Sequence, residues 1–168
     1  MSPGFGGVGL PRNILAAVHR QGAKNLTGIS NNAGTVDDKV DVGTLIAAGQ
    51  VRKMVCAFTA PTHPSQVTPF VRLYNSGEVD AELVPQGTLA TRIQMAGMGI
   101  PAFFTPAGYG TEIALGKEVR EFNGKSYLME YALTADFAIV KAWKGDELGN
   151  LVFRKTTRNF STSMAKAG

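Results

Sequence analysis

The stretch Val51-Arg52-Lys53-Met54-Val55-Cys56-Ala57-Phe58 bears most directly on the fold, because six of its eight residues are apolar. A short, nearly continuous apolar run is typical of a strand buried on both faces of a parallel sheet. Further strands are predicted at residues 26–30 and 79–84. Helices are predicted at residues 42–48 and 88–95. The alternation predicts an α/β fold with an open, mostly parallel sheet flanked by helices.

The turn pair Asn123-Gly124 lies between two apolar-polar segments and predicts a β-hairpin within residues 119–133. The apolar run at residues 137–140 predicts another buried strand. Residues 60–69 contain three prolines and predict a loop. Residues 97–110 are rich in glycine and proline, and no helix or strand is predicted there.

Length and composition narrow the class of protein. A chain of 168 residues predicts a single domain over residues 1–168. With 44% apolar residues and 18% charged residues, general disorder is excluded, and no apolar run reaches the roughly 18 residues of a membrane span. The net charge of +4 is spread along the chain without an aromatic-basic stripe, which argues against nucleic acid as a partner. Cys56 is the only cysteine, so we expect a reducing, cytoplasmic location.

The segment Gly4-Phe5-Gly6-Gly7-Val8-Gly9 matches the G-x-G-x-x-G pattern of dinucleotide-binding turns. Only three residues precede it, so no strand leads into the turn. The next predicted strand ends in Asn31 and Asn32, where a dinucleotide site needs an acid for the ribose. A nicotinamide-dependent oxidoreductase therefore remains only an alternative, although the glycines still allow close backbone approach to a ligand.

The glycine segment and a series of later segments together resemble one family. They are Gly4–Pro11, Ser30–Gly34, Val84–Leu89, Gly99–Pro106, Lys117–Gly124, Asp136–Lys144, Gly149–Arg154 and Arg158–Phe160. In this order they are similar to the α subunit of family I coenzyme A transferases, most of all to the succinyl-CoA:3-oxoacid type. The resemblance implies a subunit that lacks the family's usual N- and C-terminal ends. Residues 51–56 also resemble 3-oxoadipate CoA-transferases, so 3-oxoadipate stays an alternative acceptor.

The resemblance also implies a mechanism and a partner. Family I enzymes use a glutamate nucleophile in a serine-glutamate-asparagine-glycine context on the β subunit, with ping-pong kinetics. None of the seven glutamates of this chain has that context, so we expect no catalytic residue here. We expect a β subunit as partner, an α₂β₂ assembly, and acyl-CoA and carboxylic acids as substrates. No cofactor is expected, because coenzyme A enters as a substrate thioester.

Three amide side chains are the candidate substrate-binding residues. Asn31, Asn32 and Gln86 follow predicted strands, and ligands bind beyond the carboxyl ends of parallel strands. An amide NH₂ donates to a carboxylate without adding charge. The resemblance implies that these amides line the acyl site, with Gln86 the first choice, then Asn32 and Asn31. The alternative is that they only cap turns, in a structural subunit without a catalytic role.

Three glycines and the remaining reactive side chains complete the candidates. Gly6, Gly7 and Gly9 are expected near the shared active site. No metal site is expected, since neither histidine has a ligand-spaced partner. Cys56 reads as a small buried apolar residue, with a Cys–His pair to His63 left open.

Overall fold

The computed structural model describes residues 1–35, 39–61, 63 and 65–168. Its centre is a parallel sheet of β1 (Leu26–Ile29), β2 (Val51–Cys56) and β3 (Asp80–Leu83), in the order β1-β2-β3. The apolar run that predicted a buried strand is the middle strand. The predicted α/β fold with a parallel sheet is therefore confirmed.

Two apolar clusters cover the two faces of the parallel sheet. Met54 and Cys56 point to one cluster, and Val55 points to the other, as the two-residue period of a strand requires. The first cluster includes residues of α1 (Arg12–Gln21), α2 (Val42–Ala47) and α3 (Pro69–Asn75). The second includes residues of α4 (Gln86–Gly97) and α5 (Ser161–Ala167), which pack on each other. Burial on both faces explains why β2 lacks a polar side along most of its length.

The helix ends follow local chemistry. Gly22 ends α1 at a φ of 73°, in the left-handed region that glycine favours. The Asp41 carboxylate accepts the Gly43 N–H at 2.7 Å and starts α2. The helix predicted at residues 88–95 begins earlier, so Gln86 occupies the first turn of α4.

A second sheet is antiparallel, with β4 (Ala102–Thr105), β5 (Val119–Phe122) and β6 (Lys125–Tyr131) in the order β4-β6-β5. Asn123 and Gly124 join β5 to β6 with φ values of 51° and 72°. Two central residues with positive φ match a type I′ turn, whose twist suits a hairpin. The predicted hairpin is confirmed.

A third sheet has only the short strands β7 (Lys144–Gly145) and β8 (Leu151–Val152), paired antiparallel. Two 3₁₀ turns, Glu112–Ala114 and Lys155–Arg158, precede β5 and α5.

Three expectations from the sequence need correction. Residues 137–140 form no strand, and the side chain of Phe137 is 80% exposed. The proline-rich segment leads into α3, where the Thr68 hydroxyl accepts the Val71 N–H and Pro69 takes the first helical position. The glycine- and proline-rich stretch contains β4. Thr62 and Pro64 of the predicted loop lie outside the described residues.

Candidate active site

The candidate site lies where β1 and β3 end. Beyond β1 the chain continues beside β2: the Asn31 carbonyl accepts the N–H groups of Ala57 and Phe58 at 3.2 and 3.0 Å. This pairing holds the Asn31 backbone at the carboxyl end of the sheet. Asn31 is 2% exposed, and Asn32 is partly buried. Gln86 is exposed and stands two residues beyond Val84, which continues from β3.

The three candidate amides form one directional chain of hydrogen bonds. The Gln86 Nε2 group donates to Asn31 Oδ1 at 2.8 Å. The Asn31 Nδ2 group in turn donates to Asn32 Oδ1, also at 2.8 Å. Because Asn31 both accepts and donates, the two bonds polarise one another in the same direction. The structure therefore brings together the three residues that the sequence placed on separate segments.

The glycine segment closes the far end of this chain. Phe5 and Val8 exchange two backbone hydrogen bonds of 3.0 and 3.1 Å around the two-residue turn Gly6-Gly7. Gly6 has a φ of 56°, which the first central residue of a type II′ turn requires. The Gly6 N–H donates to Asn32 Oδ1 at 3.2 Å. Gly6 thus belongs to the amide chain as its last donor.

Gly7 and Gly9 do not reach the amides in the same way. A Cβ at Gly7 would lie 3.7 Å from the Arg12 guanidinium, an ordinary contact. A Cβ at Gly9 would lie 2.4 Å from Asn159 Nδ2, and Gly9 has a φ of 78°. Gly9 is therefore needed for the close approach of Asn159, a residue that sequence reasoning did not single out. The signal was the Arg158-Asn159-Phe160 segment of the resemblance.

The arrangement leaves hydrogen-bond donors free to bind a ligand. Asn32 Oδ1 accepts two bonds, whereas the Asn32 NH₂ group has no partner among the residues the structure describes. The Gln86 NH₂ group uses one of its two hydrogens on Asn31. These donors are neutral, and the first turn of α4 adds the positive end of a helix dipole beside them. Such a place suits a carboxylate or the oxygen of a carbonyl that gains negative charge.

Cys56 does not form a nucleophile pair with His63. The Cys56 side chain is buried, and that burial raises the pKa of its thiol to about 11 against a smaller opposing effect of the Phe58 backbone. The His63 ring bonds the Ser65 hydroxyl at 2.7 Å on the exposed loop. The thiol is therefore a neutral apolar filler of the core.

Metal ligands and membrane spans are both absent from residues 1–35, 39–61, 63 and 65–168. No three His, Cys, Asp or Glu side chains group there as metal ligands would. No helix there combines the length and apolar character needed to cross a bilayer.

Comparison with known proteins shows the family. The sequence profile described as Coenzyme A transferase matches residues 1–168, and the chain belongs to this family. It is 49% identical to the α subunit of the succinyl-CoA:3-ketoacid coenzyme A transferase of Xanthomonas campestris, over 98% of this chain and 65% of the relative. It is 48% identical to the α subunit of the 3-oxoadipate CoA-transferase of Pseudomonas putida, over 99% of this chain and 70% of the relative.

The fold is shared with solved structures. The glutaconate coenzyme A-transferase of Acidaminococcus fermentans superposes with a TM-score of 0.77 at 20% identity, over 98% of this chain and 57% of that chain. The chain spans about two thirds of the length of the succinyl-CoA:3-ketoacid relative. The family match argues against the nicotinamide-dependent alternative, since the glycine segment is a turn that holds Asn32.

Proposed function

We propose that this chain is the α part of a CoA-transferase that moves CoA from succinyl-CoA to a 3-oxoacid such as acetoacetate. The observation that carries the proposal is the hydrogen-bonded chain from Gln86 through Asn31 and Asn32 to the Gly6 N–H. It supplies neutral donors for a carboxylate at the carboxyl end of a parallel sheet. Relatives named as α subunits of succinyl-CoA:3-ketoacid transferases support the choice of substrates.

The covalent step falls to a partner subunit in this proposal. A glutamate carboxylate there attacks the thioester carbonyl, the C–S bond breaks, and CoA leaves as the thiolate from an acyl-glutamyl anhydride. The thiolate then attacks the glutamyl carbonyl, which releases the first carboxylate and leaves a glutamyl-CoA thioester. The acceptor carboxylate takes CoA by the same steps in reverse.

This chain contributes binding and charge stabilisation to those steps. Each attack turns a carbonyl oxygen into an oxyanion, which fixed donors stabilise more than they stabilise the carbonyl. The free Asn32 NH₂ group is the first donor for that oxygen or for the substrate carboxylate. Asn31 and Gln86 hold the Asn32 amide in its orientation, and Gln86 keeps one N–H for the substrate. A neutral donor leaves the charge of the partner's glutamate unneutralised, so its nucleophilicity is preserved.

The acceptor acid has a specific alternative. Relatives named as α subunits of 3-oxoadipate CoA-transferases are 48% and 46% identical to this chain. 3-Oxoadipate carries a second carboxylate, which needs a cationic partner at the far end of the site. Competition between acetoacetate and 3-oxoadipate in one reaction mixture distinguishes the two acceptors.

The remaining parts of the proposal concern the assembly. We propose a β subunit as partner in an α₂β₂ assembly, because the relatives are themselves named as one subunit of an enzyme. No cofactor takes part, since CoA arrives as the thioester of a substrate. The single cysteine is consistent with the cytoplasm as the location.

The test is a reconstitution assay. The chain is mixed with a matching β subunit, succinyl-CoA and acetoacetate, and formation of acetoacetyl-CoA is followed for the mixture and for each subunit alone. Turnover only in the mixture is the expected result. Turnover by this chain alone would assign the nucleophile to one of its own glutamates and overturn the division of roles.

Variants connect the turnover to the amide chain. Asn32→Ala removes the free donor, and loss of one oxyanion donor lowers kcat by roughly 100-fold. Gln86→Ala removes one donor and the support of Asn31, and we expect a smaller loss of roughly tenfold. Gln94→Ala is the matched control, because Gln94 is an exposed glutamine of the same helix. Equal turnover of Asn32→Ala and Gln94→Ala would refute the assignment.

A further inference from the structure

The side chain of Asn159 is bound into the glycine turn from the other end of the sequence. Its Oδ1 accepts the Gly4 N–H at 3.1 Å, across 155 positions of sequence. Its Nδ2 donates to the Val8 carbonyl at 3.2 Å. The two bonds hold the chain on both sides of the Gly6-Gly7 turn, so the turn is clamped at its base.

Only an amide satisfies all the neighbours of this side chain. Nδ2 faces the carbonyls of Val8, Thr156 and Thr157 at 3.2, 3.4 and 3.4 Å. Oδ1 faces the N–H groups of Gly4 and Phe160 at 3.1 and 2.7 Å. A carboxylate would turn an acceptor toward three carbonyl oxygens, and a hydrophobic side chain would leave both groups unmatched.

The backbone at Asn159 is held in an unusual conformation. Its φ is 20° and its ψ is −117°, a region that side-chain-bearing residues rarely occupy. Such a conformation persists only where the surroundings over-determine it, and here five hydrogen bonds of one side chain do so. Asn159 is therefore placed for its contacts with the turn and not by a local preference.

We propose that Asn159 is a positioning residue that acts on the substrate through Gly6 and Asn32, an inference that rests on the proposed function. The clamp fixes the Gly6 N–H, and that N–H fixes Asn32 Oδ1 at 3.2 Å. With Oδ1 fixed, the Asn32 NH₂ group points in one direction. Loss of the clamp lets the turn move and leaves the amide chain without its last donor.

The first test measures the clamp without any activity. Asn159→Gly removes the amide but tolerates the positive φ, so it separates the clamp from the backbone strain. In the full chain, amide hydrogen exchange of Gly4 and Gly6 should accelerate by roughly tenfold, because each loses a fixed acceptor. The Ser2 N–H, which donates to the Ile29 carbonyl at 2.9 Å, should exchange at an unchanged rate. Unchanged exchange at Gly4 and Gly6 would overturn the proposal.

The second test asks whether the clamp acts through Asn32. In the complex with the β subunit, Asn159→Gly should lower kcat by roughly tenfold in the wild-type background. In the Asn32→Ala background it should lower kcat by less than about twofold, because the group it positions is absent. An equal loss in both backgrounds would show a general structural effect and overturn the proposal.

A matched control uses another asparagine with positive φ. Asn25 has a φ of 58° and is exposed, so Asn25→Gly should change neither exchange at Gly6 nor turnover. If the wild-type complex has no turnover, the proposed function fails and the positioning role fails with it. The exchange data then still show whether the clamp exists, so the two failures are told apart.

Discussion

Replacing Arg92 with methionine tests the link between the parallel and antiparallel sheets. Arg92 lies on α4 with its side chain 10% exposed. One guanidinium nitrogen donates to Glu82 of β3 at 2.6 Å, and another donates to the Tyr131 carbonyl of β6 at 2.9 Å. Arg92 also faces the buried Glu130 of β6 at 3.9 Å. Methionine keeps much of the apolar stem and removes the charge and all donors.

The cost of this substitution follows from what each partner retains. Glu82 is 37% exposed and keeps Lys53 at 3.3 Å, so loss of its bond to Arg92 costs about 1 kcal/mol after screening. The partly buried bond to the Tyr131 carbonyl adds about 1–1.5 kcal/mol, as for a bond from a charged donor. Glu130 is 3% exposed but keeps its ion pair with Lys117. We therefore expect a loss of about 2–3 kcal/mol in the free energy of unfolding.

Urea denaturation followed by circular dichroism measures this loss. The control is Arg72→Met, because Arg72 is exposed on α3 and forms no ion pair among the described residues. A change within about 0.5 kcal/mol is expected for the control, as for most surface substitutions. The reasoning fails if Arg92→Met is as stable as Arg72→Met. A loss beyond about 5 kcal/mol would instead mean that Glu130 is left unpaired, against the geometry.

Three further perturbations follow from the same structure. Burial favours a higher pKa for Glu82, but Arg92 and Lys53 outweigh it and lower that pKa, so the carboxylate stabilises the fold above about pH 4.5 and less as pH falls further. Urea midpoints of Glu82→Gln should therefore fall less between about pH 5 and about pH 3 than those of the wild type, and equal slopes would contradict this. With the pKa of Cys56 raised to about 11, only about one thiol in a thousand is ionised at about pH 8, so iodoacetamide should label it only after unfolding in urea. Rapid labelling of the native chain would disprove the burial argument. The buried Ser161 hydroxyl has no hydrogen-bond partner among the described residues, so Ser161→Ala should leave the unfolding free energy equal or raise it by about 1 kcal/mol, and a clear loss in calorimetry would reveal a missed partner.

The fold was predictable wherever one segment carried its own signal. The apolar run of β2 and the Asn123-Gly124 turn depend on residues next to each other, and both predictions are confirmed. The helix α3 was missed because Pro69 belongs to a proline-rich run, although proline is also suited to the first turn of a helix.

Strands whose existence depends on a partner edge were the least predictable. The strand β4 stands between two prolines, Pro101 and Pro106, and is a strand because it pairs with β6. Residues 137–140 have a strand-like apolar pattern but form none. There the Ile139 N–H bonds the Met1 carbonyl, and Phe137 is 80% exposed.

The sequence by itself determined that an α/β sheet would form, and that Asn31, Asn32 and Gln86 would stand at the carboxyl ends of its strands. Those features depend on short apolar runs and on the side chains that follow them. Only the tertiary structure decided that the Gln86 amide meets Asn31 across 55 positions and that Asn159 clamps a turn 155 positions away. A hydrogen bond requires its two atoms within about 3 Å and correctly directed. No pattern along the chain encodes that distance between segments brought together by packing.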